Sequence, residues 1–301
     1  HLLLLPEPIN RLLRMKHLIK QLVFSGLFWA SYLGAQPVVG GGSIDSCLES
    51  SHTGALLERL LVAHSSRNYE GTLLFERPNK RHFLSVGWPR ARYQGELRRL
   101  NVDNKESKEF WPGPTSKFAN VCTLVRAYTV LSSEGRVIAG RPTHRLTFKP
   151  RDSLRWGHIF EIDKESGLAL AAQIFGPNQS VLERFEFAEI TISAENSAER
   201  LEQSPFSDSR EVIPGFFEVK EDSKAGIFSV SDGFATASVF VDPLPLGVPL
   251  GEGAVMEGAT LVYSRGVRFA NKSALISVMG EVPVVTGRLL AETFREALDD
   301  S

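Results

Sequence analysis

Apolar and polar residues alternate in three short runs near the middle of the chain, at residues 145–149, 158–163 and 181–187. An alternation of period two is typical of a strand that buries one side and exposes the other. Turn-forming residues separate the runs at 149–152 and 163–167. Because connections this short cannot make a parallel crossover, the pattern predicts an antiparallel sheet with one apolar face.

A helix is predicted ahead of this sheet. Thr53 is its expected N-cap, and His64, just beyond the apolar stripe, is expected to be a partly exposed residue at the helix end. Four leucines have the spacing of a single apolar face: Leu56, Leu57, Leu60 and Leu61.

Strands are predicted on either side of a segment without a clear pattern. The first covers residues 69–77 and ends at a turn formed by Pro78 and Asn79. The second covers residues 123–131, and residues 80–122 between them give little signal. Basic and aromatic residues are dense in the first part of that segment, which indicates either an anionic ligand or an ordinary solvated strand face.

The last third of the chain predicts a second, smaller β-rich region. Residues 194–209 are polar with few apolar residues, as in a linker. Residues 242–258 are predicted to form a long loop and a candidate docking surface, in particular Pro243, Leu244, Pro245 and Leu246. The remaining predicted elements are strands at 216–219, 227–230 and 236–241, a hairpin of 260–269 with 273–279, and a helix near 289–298.

Length and charge limit the classes of function. A chain of 301 residues is typical of about two domains of roughly 150 residues each. Hydrophobic residues at 43% and charged residues at 23% are ordinary for a globular protein. The net charge of −1 provides no basic footprint for nucleic acid.

The N-terminal region has the features of a targeting segment. Residues 1–14 precede Met15 and are interpreted as an upstream translation artefact. Residues 15–35 carry basic residues followed by an apolar run of signal-peptide length, so export is predicted; an uncleaved anchor is the alternative. Cys47 and Cys122 are compatible with either a disulfide or two unpaired thiols.

No pattern in the sequence indicates an enzyme. HExxH, GxSxG, P-loop and paired-carboxylate motifs are absent, and the GxG at Gly251 and Gly253 lacks the third glycine of a dinucleotide site. His144 and His158 could meet across neighbouring strands, but two histidines alone make a poor metal site. The protein is therefore expected to bind other molecules without a metal or cofactor.

An ordered series of short motifs resembles one known family. The motifs lie at residues 69–72, 75–77, 137–142, 149–152, 155–157, 163–168, 182–187, 213–216, 231–235, 238–241 and 278–283. In this order they are similar to the MucB/RseB family of periplasmic sigma-factor regulators, and the resemblance spans about residues 53–295. Residues 80–122 depart from the family's usual pattern.

The resemblance implies an α+β fold. Residues 36–193 should form a half-open antiparallel β-barrel plugged by helices, similar to the periplasmic lipoprotein carriers, and residues 210–301 a smaller α+β domain. Members of the family bind the periplasmic segment of a membrane anti-sigma factor of the MucA/RseA type and shield it from proteolysis. A lipid or lipopolysaccharide ligand is implied as the signal. A lipid or lipoprotein carrier is the alternative function, and a homodimer is left open.

A curved sheet with an apolar concave face can hold either its own helices or an acyl chain, whose burial is worth roughly 0.8 kcal/mol per CH2 group. Ordinary core packing is the alternative role for each residue on this face. The candidates for the inner face are Leu146, Phe148, Phe160, Ile162, Phe185 and Phe187.

Overall fold

The computed structural model describes residues 52–88, 95–100, 109–111, 121–193, 209–222, 227–245, 247–269 and 272–299. These residues form two antiparallel sheets, of nine and seven strands. The predicted leader and almost all of the predicted linker lie outside the described residues. The proposed domain boundaries therefore remain a prediction.

The nine-stranded sheet and two helices make up what we call the first lobe. Its strands follow the order β4-β3-β2-β1-β9-β8-β7-β6-β5, so the first strand pairs with both the second and the last. The elements are α1 (His52–Ser66), β1 (Tyr69–Arg77), β2 (Lys80–Trp88), β3 (Gly95–Arg99), β4 (Glu109–Trp111), α2 (Val121–Ala127), β5 (Tyr128–Ile138), β6 (Arg141–Pro150), β7 (Gly157–Asp163), β8 (Ala169–Phe175), a 3-10 turn (Pro177–Gln179) and β9 (Val181–Ile192).

The seven-stranded sheet and one helix make up the second lobe. Its strands follow the order β10-β11-β12-β13-β16-β15-β14. The elements are β10 (Glu211–Ile213), β11 (Phe216–Asp222), β12 (Ile227–Ser231), β13 (Thr236–Leu244), β14 (Glu252–Glu257), β15 (Thr260–Phe269), β16 (Lys272–Gly280) and α3 (Val284–Asp299).

The predicted fold class is confirmed. Among the described residues the first sheet does not close into a barrel, because β4 and β5 form its two edges. Helices α1 and α2 bury their apolar sides against one face of this sheet, in a cluster that includes Leu57, Leu60 and Leu124. The second lobe has a core of its own, built from β10–β13, β15, β16 and α3.

The segment without a clear pattern contains three strands that the sequence analysis missed. β1 and β2 form a hairpin in which Arg77 pairs with Lys80 across the predicted turn, and Asn79 adopts a positive φ of 62°. Leu84, Val86 and Trp88 alternate along β2 and are buried. The basic residues at the start of β2 obscured this alternation, because they extend beyond the core.

The predicted strand at 123–131 is wrong in its first half. Residues Val121–Ala127 form α2, and β5 begins only at Tyr128. Leu124 and Ala127 lie three residues apart on one helical face and are both buried. Burial of this face against the core outweighs the weak strand preference of the segment's Val and Thr residues.

Two details of the predicted first helix also need correction. Thr53 lies inside α1, and its hydroxyl is 2.8 Å from the Ser132 hydroxyl of β5 instead of capping the helix. His64 is buried, with 7% of its surface exposed. The next strand folds back over the helix end, so the Tyr69 hydroxyl lies 2.7 Å from His64 Nδ1 and the Trp88 ring covers the imidazole.

The predicted long loop at 242–258 is also wrong for most of its length. Pro243 and Leu244 belong to β13, and β14 occupies Glu252–Glu257, paired with β15. Pro243 pairs with Ala274 on β16, and among the described residues β13 pairs with β12 only as far as Phe240. A strand tolerates proline where one side lacks a neighbour, because the missing N–H is not needed there.

Candidate functional site: the contact between the two lobes

The six inner-face candidates are all buried, but they belong to two separate clusters. Phe185 and Phe187 pack in a cluster with β1 and β2. The other four pack beneath α1 and α2: Leu146, Phe148, Phe160 and Ile162. Their burial fits ordinary core packing as well as a lipid site, so the lipid role remains a prediction.

One residue of the cluster beneath α1 and α2 comes from the second lobe. Phe234 lies in the turn between β12 and β13 and inserts its ring into the first lobe. Its ring centroid is 4.8 Å from those of Phe148 and His158, 5.5 Å from that of Phe160 and 5.6 Å from that of Tyr128. We call these four first-lobe residues the aromatic pocket. Aromatic pairs at such distances stabilise beyond their buried area.

The turn that carries Phe234 is held by its own hydrogen bonds. Asp232 Oδ1 accepts the backbone N–H groups of Phe234 and Ala235 at 3.0 and 2.8 Å. The Ser231 hydroxyl donates to the Ala235 carbonyl at 2.8 Å and accepts the Gly233 N–H at 3.1 Å. The second lobe therefore fixes the shape of the turn that it presents.

Asp232 also binds the first lobe through its other oxygen. Oδ2 accepts the Tyr128 hydroxyl at 2.8 Å and Arg155 Nη1 at 3.1 Å. Asp232 is fully buried, and burial raises its pKa against the lowering effect of Arg155. Burial, with the Asp232 charge added, raises the pKa of Tyr128 well above its usual value, so Tyr128 remains a neutral donor.

Arg155 joins this contact to the surface of both lobes. Its guanidinium donates to both oxygens of Asp152 at 3.0 Å and to the Pro214 carbonyl at 3.0 Å. Gly215 has φ +72°, and a Cβ there would lie 2.6 Å from Arg155 Nη2. Only glycine leaves room for this guanidinium in that backbone conformation.

A second contact lies at the turn between β14 and β15. Ala259 is fully buried; its N–H donates to Glu183 Oε1 and its carbonyl accepts Trp156 Nε1–H, both at 3.0 Å. Arg77 lies 2.9 Å from Glu183 and 3.8 Å from Glu257. Burial raises the pKa of Glu183, and the Arg77 charge opposes that shift.

The histidines of the described residues do not form a metal site. His144 pairs with Ile162 and His158 with Phe148, so the two histidines do not lie opposite each other as the sequence analysis allowed. Burial lowers the pKa of His64 and of His158 to about 3, so both are neutral. Among the described residues, no group of three His, Cys, Asp or Glu side chains could hold a metal ion.

The opposite face of the first sheet is polar. Glu161 is buried there and accepts Arg145 at 2.5 Å and the Thr143 hydroxyl at 2.9 Å. A groove of about 600 Å³ on this sheet borders none of the six inner-face candidates. It is lined by Glu70, Gly71, Thr72, Ser85, Val86, Gly87, Leu97, Arg98, Glu189, Ile190 and Thr191.

The predicted docking residues lie at the end of β13 and directly after it. Pro243 and Pro245 are exposed and Leu244 is half-buried, while Leu246 lies outside the described residues. Their role in docking stays a prediction.

The sequence left open whether the two cysteines form a disulfide or remain unpaired thiols. Cys122 is disulfide-bonded, whereas Cys47 lies outside the described part of the chain. Within that part, none of the helices combines the length and the apolar character needed to cross a membrane.

Sequence reasoning did not assign a role to the residues at the lobe contact. Arg155 was noted only as part of a family-like motif, and residues 231–233 were predicted as a turn and as part of another such motif. An aromatic residue directly after Asp-Gly in a tight turn was a usable signal, because turns usually place polar residues in water. Its partner Tyr128 is 104 residues from Asp232 along the chain, so no local pattern connects the two.

Together these features define a class of binding protein: an open β-sheet lobe with helices on one face, joined through buried contacts to a smaller α+β lobe. Family models agree with this class. The MucB/RseB N-terminal domain matches residues 91–205, and the MucB/RseB C-terminal domain matches residues 202–295. The chain belongs to the MucB/RseB family.

Characterised relatives show the same architecture. The sigma factor AlgU regulatory protein MucB of Pseudomonas aeruginosa is 25% identical over 288 residues, covering 79% of this chain and 89% of the relative. MucB in the Pseudomonas aeruginosa MucA/MucB complex has a TM-score of 0.61 at 23% identity, covering 80% of this chain and 97% of that one. A crystal structure of MucB has a TM-score of 0.57 at 22% identity, covering 84% and 98%.

Proposed function

We propose that this protein is a negative regulator of an envelope-stress sigma factor. It binds the periplasmic segment of a membrane anti-sigma factor, shields that segment from proteolysis, and responds to a lipid or lipopolysaccharide. The observation that carries the proposal is membership of the MucB/RseB family across both lobes. A relative named for regulation of AlgU, and solved complexes of MucB with MucA, support the same partner class.

The proposal places the protein in the periplasm and makes binding its activity. The disulfide at Cys122 supports an oxidising compartment, where such bonds persist. The described residues provide a surface that spans two lobes joined by buried contacts, including the 3.1 Å ion pair of Arg155 with Asp232. Such a surface suits recognition of a partner.

Binding to the partner is tested with the purified protein and the immobilised periplasmic segment of the single-span anti-sigma factor from the same organism. We expect saturable binding and slower cleavage of the segment by its initiating protease. Replacing the exposed residues Pro243 and Pro245 together by glutamate should weaken binding if this end of β13 is the docking surface. Val137→Glu on the other lobe, where Val137 is 70% exposed, is the matched control.

The lipid response is tested with a substitution inside the first lobe. Phe148→Leu should change the lipopolysaccharide concentration that releases the partner, whereas Phe228→Leu in the second lobe should not. An unchanged response at equal stability would contradict a lipid site beneath α1 and α2. A protein that binds lipid but no anti-sigma segment would instead be a lipid carrier.

A further inference from the structure

The groove of about 600 Å³ on the first sheet, which we call the polar groove, crosses β3, β2, β1 and β9. Its volume lies within the range typical of small-molecule sites, roughly 300–1,000 Å³. The half-buried residues Thr72, Ser85 and Gly87 form its floor, and the exposed side chains of Glu70 and Arg98 are part of its walls. Hydroxyl groups and charges of this kind suit a polar ligand.

Nothing in the described residues requires glycine at position 87, on the floor of the polar groove. A Cβ at Gly87 would meet no atom within 4 Å, and its φ lies outside the left-handed region. Gly71 differs, because a Cβ there would lie 2.3 Å from the Glu189 carbonyl oxygen. A glycine inside a strand weakens the strand and often marks the close approach of a ligand. Gly87 therefore keeps the floor of the groove open.

Unpaired charges of opposite sign lie on the two sides of this floor. Glu70 of β1 lies directly opposite Gly87, and Arg98 of β3 lies opposite Ser85. Neither side chain forms an ion pair with another described residue. The two positions are separated by two strand spacings and two residues along the strand, so their Cα atoms are roughly 12 Å apart.

A second carboxylate stands on the same side of the groove as Glu70. Glu189 lies opposite Thr72 on β9, and the Thr72 hydroxyl donates to its Oε1 at 2.8 Å. This bond positions the Glu189 carboxylate and leaves its other oxygen for a ligand. The β9 side of the polar groove is therefore acidic, whereas Arg98 makes the β3 side basic.

We propose that the polar groove binds a short peptide of about three residues with free termini. Its ammonium group lies at Glu70 and Glu189, its carboxylate lies at Arg98, and its backbone passes over Gly87. An extended residue spans at most about 3.3–3.6 Å, so three residues bridge the two walls once the side chains reach inward. This binding site is additional to the proposed regulatory function and does not depend on it.

Trialanine is the probe, because its only charges are those of its two termini. Titration of the isotope-labelled full chain up to about 10 mM trialanine, followed by NMR, covers the weak affinity expected of so small a ligand. We expect saturable shifts of the backbone amides of Thr72, Ser85 and Gly87. N-acetyl-trialanine and trialanine amide, which each lack one charge, should bind at least about threefold more weakly, since single exposed ion pairs contribute little.

Gly87→Val places a side chain in the groove and should weaken trialanine binding at least about tenfold. Valine suits a strand, so the urea midpoint should be equal to that of the wild type or higher. Gly253→Val is the matched control, because Gly253 also lies in a strand and a Cβ there also meets no atom within 4 Å. Its affinity for trialanine should stay within about twofold of the wild type.

Two charge variants assign the orientation of the peptide. Glu70→Gln should reduce the difference between trialanine and its N-acetyl form, and Arg98→Gln should reduce the difference between trialanine and its amide. The absence of saturable shifts at the floor residues would overturn the proposal. Equal affinities of the three peptides for the wild type, or an unchanged affinity of trialanine for Gly87→Val, would do so as well.

Discussion

Arg155→Met is expected to destabilise the protein far more than removal of a surface arginine. The wild-type guanidinium is buried and faces Asp232, which is fully buried. Removing one partner of a buried ion pair leaves an uncompensated charge and costs about 3–5 kcal/mol. With a urea m-value near 3 kcal/mol per M, the unfolding midpoint should fall by about 1–2 M.

The effect should depend on pH in a defined direction. The pKa of Asp232 is already raised by burial, and the Arg155 charge lowers it, so the variant raises this pKa further. A carboxyl group with a raised folded-state pKa takes up a proton on folding as the pH falls. The difference in unfolding free energy between Arg155→Met and wild type should therefore shrink between pH 7 and pH 5.

The assay is urea unfolding followed by far-UV circular dichroism and by tryptophan fluorescence, with Trp156 as a reporter at the second lobe contact. Arg184→Met is the matched control, because this arginine is 50% exposed and pairs with Glu76 on the polar face. The control should cost less than about 1 kcal/mol. A similarly small, pH-independent cost for Arg155→Met would refute the reasoning about the buried contact.

Three further predictions follow from single positions. Gly258→Ala should lower the free energy of unfolding by about 2 kcal/mol or more, because φ is +62° and a Cβ would lie 2.3 Å from Glu183 Oε1. The control Gly247→Ala, with φ +96° and no atom within 4 Å of the added Cβ, should lower it by about 1 kcal/mol. Equal urea midpoints for the two variants would contradict this prediction. The lowered pKa of His158 means that the unfolded chain binds a proton that the folded chain does not, so the wild type loses stability as the pH falls from about 6.5 to 3. His158→Leu should remove this loss, which is about 1.4 kcal/mol of unfolding free energy per pH unit. Parallel plots of unfolding free energy against pH for the variant and the wild type would exclude this effect. Cys122→Ser should cost about 2–5 kcal/mol and make the urea midpoint insensitive to dithiothreitol, whereas a variant still sensitive to the reductant would show that another bond is responsible.

Local patterns predicted many of the elements correctly. β1, the hairpin of β15 with β16, and α3 follow from residue alternation, turn residues and an apolar stripe. These signals depend on neighbours within a few residues, and the same spacing decides which side of an element is apolar. The sequence analysis failed at α2 and β14, where burial or strand pairing with distant residues decides the conformation.

The sequence by itself determined the two β-rich regions, the apolar character of the inner-face residues and, through ordered motifs, the family. Only the tertiary structure decided that Phe234 completes the core of the other lobe and that Asp232 meets Tyr128 and Arg155. The physical reason is that periodicity and turn chemistry act between residues close in the chain. A contact between positions 128 and 232 exists only once both sheets are folded and packed, and its buried charges leave no periodic trace in the sequence.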